Sequence, residues 1–239
     1  MYIQACRQGL ALIGKRLDVF SLRNPCFSFR LLTLVFVAGV RPAVAAPIDI
    51  NKNDMDSLRR GEILLEKVQK EKPGAAARVT ALFDSSVTEV WNIIGYCKYE
   101  FIYVKGLLEC EALESELANM RVRHRLRNSW YSPTLDYTFE ANRAWDGNGE
   151  VHLLEGDLKV LEGLWKLMPV KDGKKTIVMH EIRIQPGFPA PKWLIRRSLA
   201  KDLPDMMACI RGLAGGSGDE NRIMDDLERC PGKIPDTRK

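Results

Sequence analysis

The segment from Gly187 to Gly215, GFPAPKWLIRRSLAKDLPDMMACIRGLAG, constrains this chain more than any other. It reads as one long amphipathic helix. Roughly a hundred residues before it carry an almost unbroken strand pattern. Leu194, Ile195, Leu199, Leu203, Met206, Ile210 and Leu213 form one apolar stripe at helical spacing. Lys192, Arg196, Arg197, Lys201, Asp202 and Arg211 lie largely off it, as a solvated face. Pro191 suits a first-turn position, and Pro204 is expected to bend the helix because it removes one hydrogen bond. Gly215-Gly216 ends it. A lone helix that closes a long antiparallel sheet must be wrapped by that sheet, and the space between them can hold an apolar ligand.

The preceding elements follow from period and punctuation. Gly61 to Gln69 and Ala76 to Phe83 read as strands. Asp84-Ser85-Ser86 supplies an N-cap for a helix over Val87 to Gly95, where Val90, Trp91 and Ile94 recur at helical spacing, and a second short helix follows around Tyr96 to Ile102. Strands are expected near 105–113, 117–129, 132–145, 149–156, 159–169 and 174–186, separated by short Gly-, Asp- and Asn-bearing turns. That makes an antiparallel meander and an α+β fold.

The first 45 residues are separate in character. Arg23 and Arg30 precede the apolar run Leu31 to Val40, and Ala43 and Ala45 fit the small-residue positions of a cleavage site before Ala46. This predicts a signal peptide over 1–45, with an uncleaved N-terminal anchor as the alternative. The apolar run is too short for a comfortable transmembrane helix, which needs about 20 residues. The whole chain carries a net charge of +5, but residues 1–45 hold six Lys/Arg and one Asp, so the remainder has thirty basic and thirty acidic residues. A neutral domain argues against nucleic acid as a partner. Residues 46–59 are expected to be a flexible lead, 60–214 the folded domain, and 215–239 a polar tail, with one turn of helix near Ile223 to Glu228. Export, to the periplasm in a Gram-negative cell, makes disulfides among Cys97, Cys110, Cys209 and Cys230 reasonable. The local options are Cys97 with Cys110 and Cys209 with Cys230. Burial of Cys110 and Cys209 as simple apolar residues stands beside that reading.

Two runs carry a family resemblance. Ala81 to Glu114, ALFDSSVTEVWNIIGYCKYEFIYVKGLLECEALE, resembles the opening of START-like, polyketide-cyclase and coenzyme Q-binding domains (the SRPBCC superfamily). Gly163 to Pro169 with Gly173 to Thr176 is similar to a hairpin of the same group, and Pro191 to Pro204 to its closing helix. The resemblance implies a helix-grip fold over roughly 60–214: a curved antiparallel sheet of about seven strands around a long C-terminal helix, with two short helices after the first strand. It implies an apolar cavity between sheet and helix, and ligands such as lipids, sterols, quinones or polyketides. Some members are cyclases or hydrolases.

Alternation along the strands assigns faces. Arg121, Arg123, Arg125 and Arg127 fall on one face and Val122, His124 and Leu126 on the other. The arginines read as a solvated outer face with acidic neighbours, and alternatively as a patch for an acidic partner or a membrane. Tyr137, Phe139, Ala141 and Arg143 share a face, as do Val178, His180, Ile182 and Ile184. The expected cavity lining is His124, Tyr137, Phe139, Arg143, Trp165, His180, Met206 and Ile210, with core packing as the alternative for the histidines and methionines. Trp130 and Trp145 are open between ligand wall and strand packing, and Trp91 and Trp193 read as core. Asp136 should point away from the cavity. No Gly-x-Ser-x-Gly elbow and no metal-spaced cluster is present, so no catalytic residue, cofactor or metal is expected. The expected activity is that of a monomeric carrier for a lipid or isoprenoid quinone, with peripheral membrane contact. A cyclase or hydrolase in the same cavity, and an interaction module, are the alternatives.

Overall fold

A computed structural model describes residues 48–68, 72–115, 119–128, 132–144, 147–215 and 219–232. The signal or anchor segment, Trp130 and Trp145 lie outside the described residues. The order is α1 (Lys52–Arg59), β1 (Leu64–Lys67), β2 (Ala75–Phe83), α2 (Val87–Ile94), α3 (Cys97–Tyr103), β3 (Leu107–Ser115), β4 (Asn119–Leu126), β5 (Leu135–Arg143), β6 (Asn148–Gly156), β7 (Leu158–Val170), β8 (Lys175–Pro186), α4 (Lys192–Ala214) and α5 (Glu220–Glu228). The sheet runs β1-β2-β8-β7-β6-β5-β4-β3, and all the pairs are antiparallel.

This order explains the two short helices. β2 and β3 are consecutive among the strands, yet five strands separate them in the sheet. Their connection must therefore cross the sheet face, and α2 and α3 are that crossing. Helix α2 starts where the sequence marks it. The Ser86 hydroxyl accepts a hydrogen bond from the Glu89 backbone N–H at 3.3 Å, and the Glu89 carboxylate accepts from the Ser86 backbone N–H at 2.7 Å. The helix lays Trp91 against the sheet. Gly149 makes room for it, since a Cβ there would stand 2.5 Å from the indole ring.

The sheet has eight strands where about seven were expected, and the two helices follow the second strand. β1 is a four-residue edge strand paired with β2, so it adds a strand without altering the crossing. The lead is not wholly flexible. Asn51 caps α1 through its side chain, and Leu58 is completely buried. The tail is not merely polar either. Asp219 caps α5, which packs along α4. Gly212 permits that approach, because a Cβ would lie 3.0 Å from the Leu227 side chain.

α4 continues through Pro204 and is capped by Gly215 in the left-handed region, at φ 64°. It packs on α5, β2, α2, α3 and β1, and so covers one end of the sheet. Leu203, Met207, Cys209 and Ile210 join Val79, Ala81, Phe83, Val90, Trp91 and Trp165 in one core. A second cluster lies farther along the same face, built on Val122, Tyr137, Phe139, Leu158 and Leu161. Two expectations for α4 are corrected. Trp193 is 64% exposed and Leu194 41% exposed, because the first turns of α4 extend past the core that holds its second half. Arg211 is buried, because α5 covers it: its guanidinium donates to both carboxylate oxygens of Asp226 at 2.6 and 2.8 Å and to the Gly61 carbonyl at 3.0 Å.

Candidate functional site

Strand register and helix spacing bring one polar cluster together. On the inner face Cys110 of β3 stands opposite His124 of β4, and His124 opposite Tyr137 of β5. Above them, Cys97 and Glu100 lie three residues apart on α3, hence on one side of that helix. A disulfide joins Cys97 to Cys110 and ties α3 to β3. The Glu100 carboxylate lies 2.6 Å from His124 Nε2, and the two side chains are only 8% and 6% exposed. The Tyr137 hydroxyl is 3.4 Å from His124 Nδ1. Phe139 meets the imidazole edge-on, with ring centroids 4.8 Å apart. Burial, and secondarily the Glu100 charge, pushes the Tyr137 phenol well above its ordinary range, so it stays protonated and is available as a donor.

A second pair lies on β7 and β8. Trp165 and His180 are register partners and their rings stack, with centroids 3.8 Å apart and planes 16° from parallel. Burial pushes the His180 imidazole down to about 4, against an opposing hydrogen bond with the Leu164 backbone and the Glu181 charge. The ring is therefore neutral near pH 7. Its Nδ1 is buried without a hydrogen-bond partner.

The residues expected to share one lining thus divide. His124, Tyr137 and Phe139 meet at one place, and Trp165 and His180 at another. Arg143 stands apart, with its guanidinium 4.8 Å over the Trp91 ring and its pKa lowered by burial. Ile210 is wholly buried in the first core, and Met206 is half-buried against it. Glu100 was not anticipated. Its signal was the Cys97-x-x-Glu100 spacing on a helix beside a cysteine that faces the sheet. The ligating atoms of Glu100, Cys110 and His124 all fall within 4.8 Å of one another, a cluster that linear spacing does not show.

Between the two polar sites, the inner face is apolar and incompletely covered. Leu126, Leu135, Ala141, Leu153, Ile182 and Ile184 are half-buried around the second cluster. Two cavities open elsewhere. One of about 220 Å³ lies where β8 gives way to α4, lined by Gly74, Lys159, Gln185, Phe188, Lys192 and Ile195 among others. The other, of about 170 Å³, lies beside β1 and β2 and includes Asp54, Arg78, Thr80 and Met179. None of the eight expected lining residues borders either one.

The opposite face of β4 is electrostatically closed. Arg123 donates to both oxygens of Asp136, Arg125 pairs with Glu109, and Arg121 lies 3.5 Å from Glu114. Asp136 points away from the inner face, and the hydrogen bond from Arg123 holds its carboxyl below the usual range. A second disulfide, Cys209–Cys230, fastens α4 to the segment after α5.

Comparison with known proteins agrees with this architecture. The solved structure of a STAR-related lipid transfer protein from Xanthomonas axonopodis superposes with a TM-score of 0.55 at 16% identity, covering 64% of this chain and 93% of that one. Human StAR-related lipid transfer protein 5 gives 0.53 at 11% identity, over 64% and 82%. Human STARD10 gives 0.50 at 10% identity, over 70% and 80%. At these identities the likeness shows the fold alone. No curated protein matches the chain in sequence. A family model described as polyketide cyclase / dehydrase and lipid transport matches residues 86–211, from the cap of α2 to the buried arginine of α4, and the chain belongs to that family.

Proposed function

We propose that this chain is an exported protein that binds an apolar small molecule of the lipid or isoprenoid quinone type against the inner face of its sheet. The observation that carries this reading is the half-covered apolar wall that runs from Leu126 to Ile184 beside the buried His124–Glu100–Tyr137 cluster. A wall with few polar groups at one end is the pattern of a site that takes affinity from apolar burial and orientation from a hydrogen bond. The family's description, which includes lipid transport, supports the ligand class. The two disulfides support an oxidising compartment. The cavity of about 220 Å³ borders none of the wall residues and is smaller than the roughly 300 Å³ or more that a drug-sized ligand occupies, so a bound ligand requires the wall to open further.

Those turns also support a peripheral membrane contact. Phe188, Trp193 and Leu194 are exposed beside Lys192, Arg196, Arg197 and Lys201, which joins apolar and cationic groups on one surface. The reading is tested by thermal shift with a panel of phospholipids, fatty acids and quinones. A ligand held at a hundred times its Kd should add about 2.7 kcal/mol of stability. A flat response across the panel contradicts it.

One observation favours a catalytic alternative. A buried carboxylate 2.6 Å from an imidazole is an acid–base pair within reach of whatever occupies the wall. This reading makes the protein an enzyme of the cyclase or hydrolase type. His124→Ala would then abolish turnover in a folded protein, and retained turnover would remove His124 from the chemistry.

A further inference from the structure

Cys97, Glu100, Cys110 and His124 form two pairs that approach each other from opposite sides. The first and second sit three residues apart on α3, and the third and fourth are register partners across β3 and β4. This is how a four-ligand metal site is built from a helix and a hairpin: each pair is prepositioned locally, and the fold brings the pairs together. Two thiolates, an imidazole nitrogen and a carboxylate oxygen form a donor set that suits Zn²⁺.

The distances fit. Tetrahedral Zn²⁺ with bonds of about 2.3 Å to sulfur and about 2.0 Å to nitrogen or oxygen has sulfur–nitrogen and sulfur–oxygen edges of about 3.5 Å. Cys110 Sγ lies 3.4 Å from His124 Nε2 and 3.7 Å from Glu100 Oε2. The His124–Glu100 separation of 2.6 Å must open by about 0.7 Å to reach the corresponding edge. The imidazole presents Nε2 to the cluster and Nδ1 to the Tyr137 hydroxyl, 3.4 Å away. A metal takes Nε2 in place of the proton that faces Glu100, and Nδ1–H then donates to the Tyr137 oxygen. What prevents binding in the oxidised protein is the Cys97–Cys110 bond, because disulfide sulfurs are not thiolate ligands.

We infer that reduction of Cys97–Cys110 converts this cluster into a Zn²⁺-binding site, so that the disulfide and the metal are alternative occupants of one place. A dithiol reductant supplies two electrons and two protons. The Cys97–Cys110 bond breaks, the reductant closes its own disulfide, and two thiols form. The thiols release their two protons to solvent as they bind the metal. The inference does not depend on the apolar-ligand reading, and it engages residues at only one end of the wall.

The test uses Co²⁺ as a spectroscopic probe of the purified protein, before and after treatment with a phosphine reductant under anaerobic conditions. The reduced protein is expected to take up one Co²⁺ with thiolate charge-transfer absorption and tetrahedral visible bands, which one equivalent of Zn²⁺ displaces. The oxidised protein is expected to show neither. His124→Ala and Glu100→Gln should each weaken affinity by tenfold or more. Cys97→Ser/Cys110→Ser, which retains Cys209 and Cys230, should abolish the signal. Absence of binding by the reduced protein overturns the inference, as does binding that survives in the Cys97→Ser/Cys110→Ser variant or is unchanged in both His124→Ala and Glu100→Gln. Unfolding on reduction that Zn²⁺ does not reverse overturns it too. A lipid-panel response in the oxidised protein is read separately, so failure here leaves the carrier reading standing.

Discussion

The two halves of α4 lie on one continuous helix and have opposite surroundings. From Leu203 to Gly212 the helix is held in the core along one side and by α5 along another. Met207, Ala208, Cys209 and Ile210 are wholly buried, Arg211 is fixed by Asp226 and Gly61, and the Cys209–Cys230 disulfide secures the end. From Lys192 to Lys201 the residues are exposed or half-buried, including an aromatic and a leucine that a folded core would normally cover. Pro204 sits at the junction and removes one helical hydrogen bond there. The contrast separates two tasks. The second half anchors the helix to the fold, whereas the first half touches the core chiefly through half-buried Leu199.

The largest effect that would break this comparison is at the anchor. Arg211→Ala leaves Asp226 as a buried, unpaired carboxylate, and should cost about 3–5 kcal/mol in a denaturant titration. A small loss would mean that α5 is not the clamp the geometry describes. Cys209→Ser/Cys230→Ser opens a loop with a sequence separation of 21 residues. It should cost about 3 kcal/mol and leave the His124 cluster, which the other disulfide ties, undisturbed.

His180 sharpens the comparison on the sheet side. Its folded pKa is depressed to about 4 from an ordinary 6.5, so the unfolded chain binds the extra proton first as pH falls. Its contribution is fully present above pH 6.5 and is lost as pH drops toward 4, by about 3 kcal/mol. His180→Phe should flatten stability against pH across that window, as read by thermal melts from pH 7 to 4.

The smallest stability effect belongs to the exposed half. Trp193→Ala/Leu194→Ser should change folding stability by no more than about 0.5 kcal/mol, because both residues are exposed. The same variant should lose several-fold in co-sedimentation with anionic vesicles. A large stability loss would show that the first half is packed, not free.

Much of the fold was legible because its signals are local. The Asp172-Gly173 turn punctuates the meander, Ser86 announces α2, and the 3.6-residue stripe announces α4. The His124 and Tyr137 faces followed from alternation alone. What the sequence hid is polar and distant. α5 carries few apolar residues, and its anchoring depends on one buried ion pair whose members, Arg211 and Asp226, each look solvated in isolation. Glu100 looks like any helix-surface glutamate until the crossing of α2 and α3 brings it onto His124. The exposure of Trp193 was also unreadable, since a stripe at helical spacing does not reveal where the sheet beneath it ends. That the two cavities open away from the expected lining could not be read either, because the same alternation fits side chains that line a cavity and side chains that pack a core.

The proposed function places an apolar molecule on the inner wall of the sheet. Native mass spectrometry of the gently purified protein, followed by solvent extraction, tests it most directly. The expected result is a one-to-one complex that releases a lipid- or quinone-class compound on extraction. Leu153→Arg, which places a charge on the wall, should lose that complex while remaining folded. An adduct-free protein that also fails to acquire a ligand from a supplied lipid panel would contradict it.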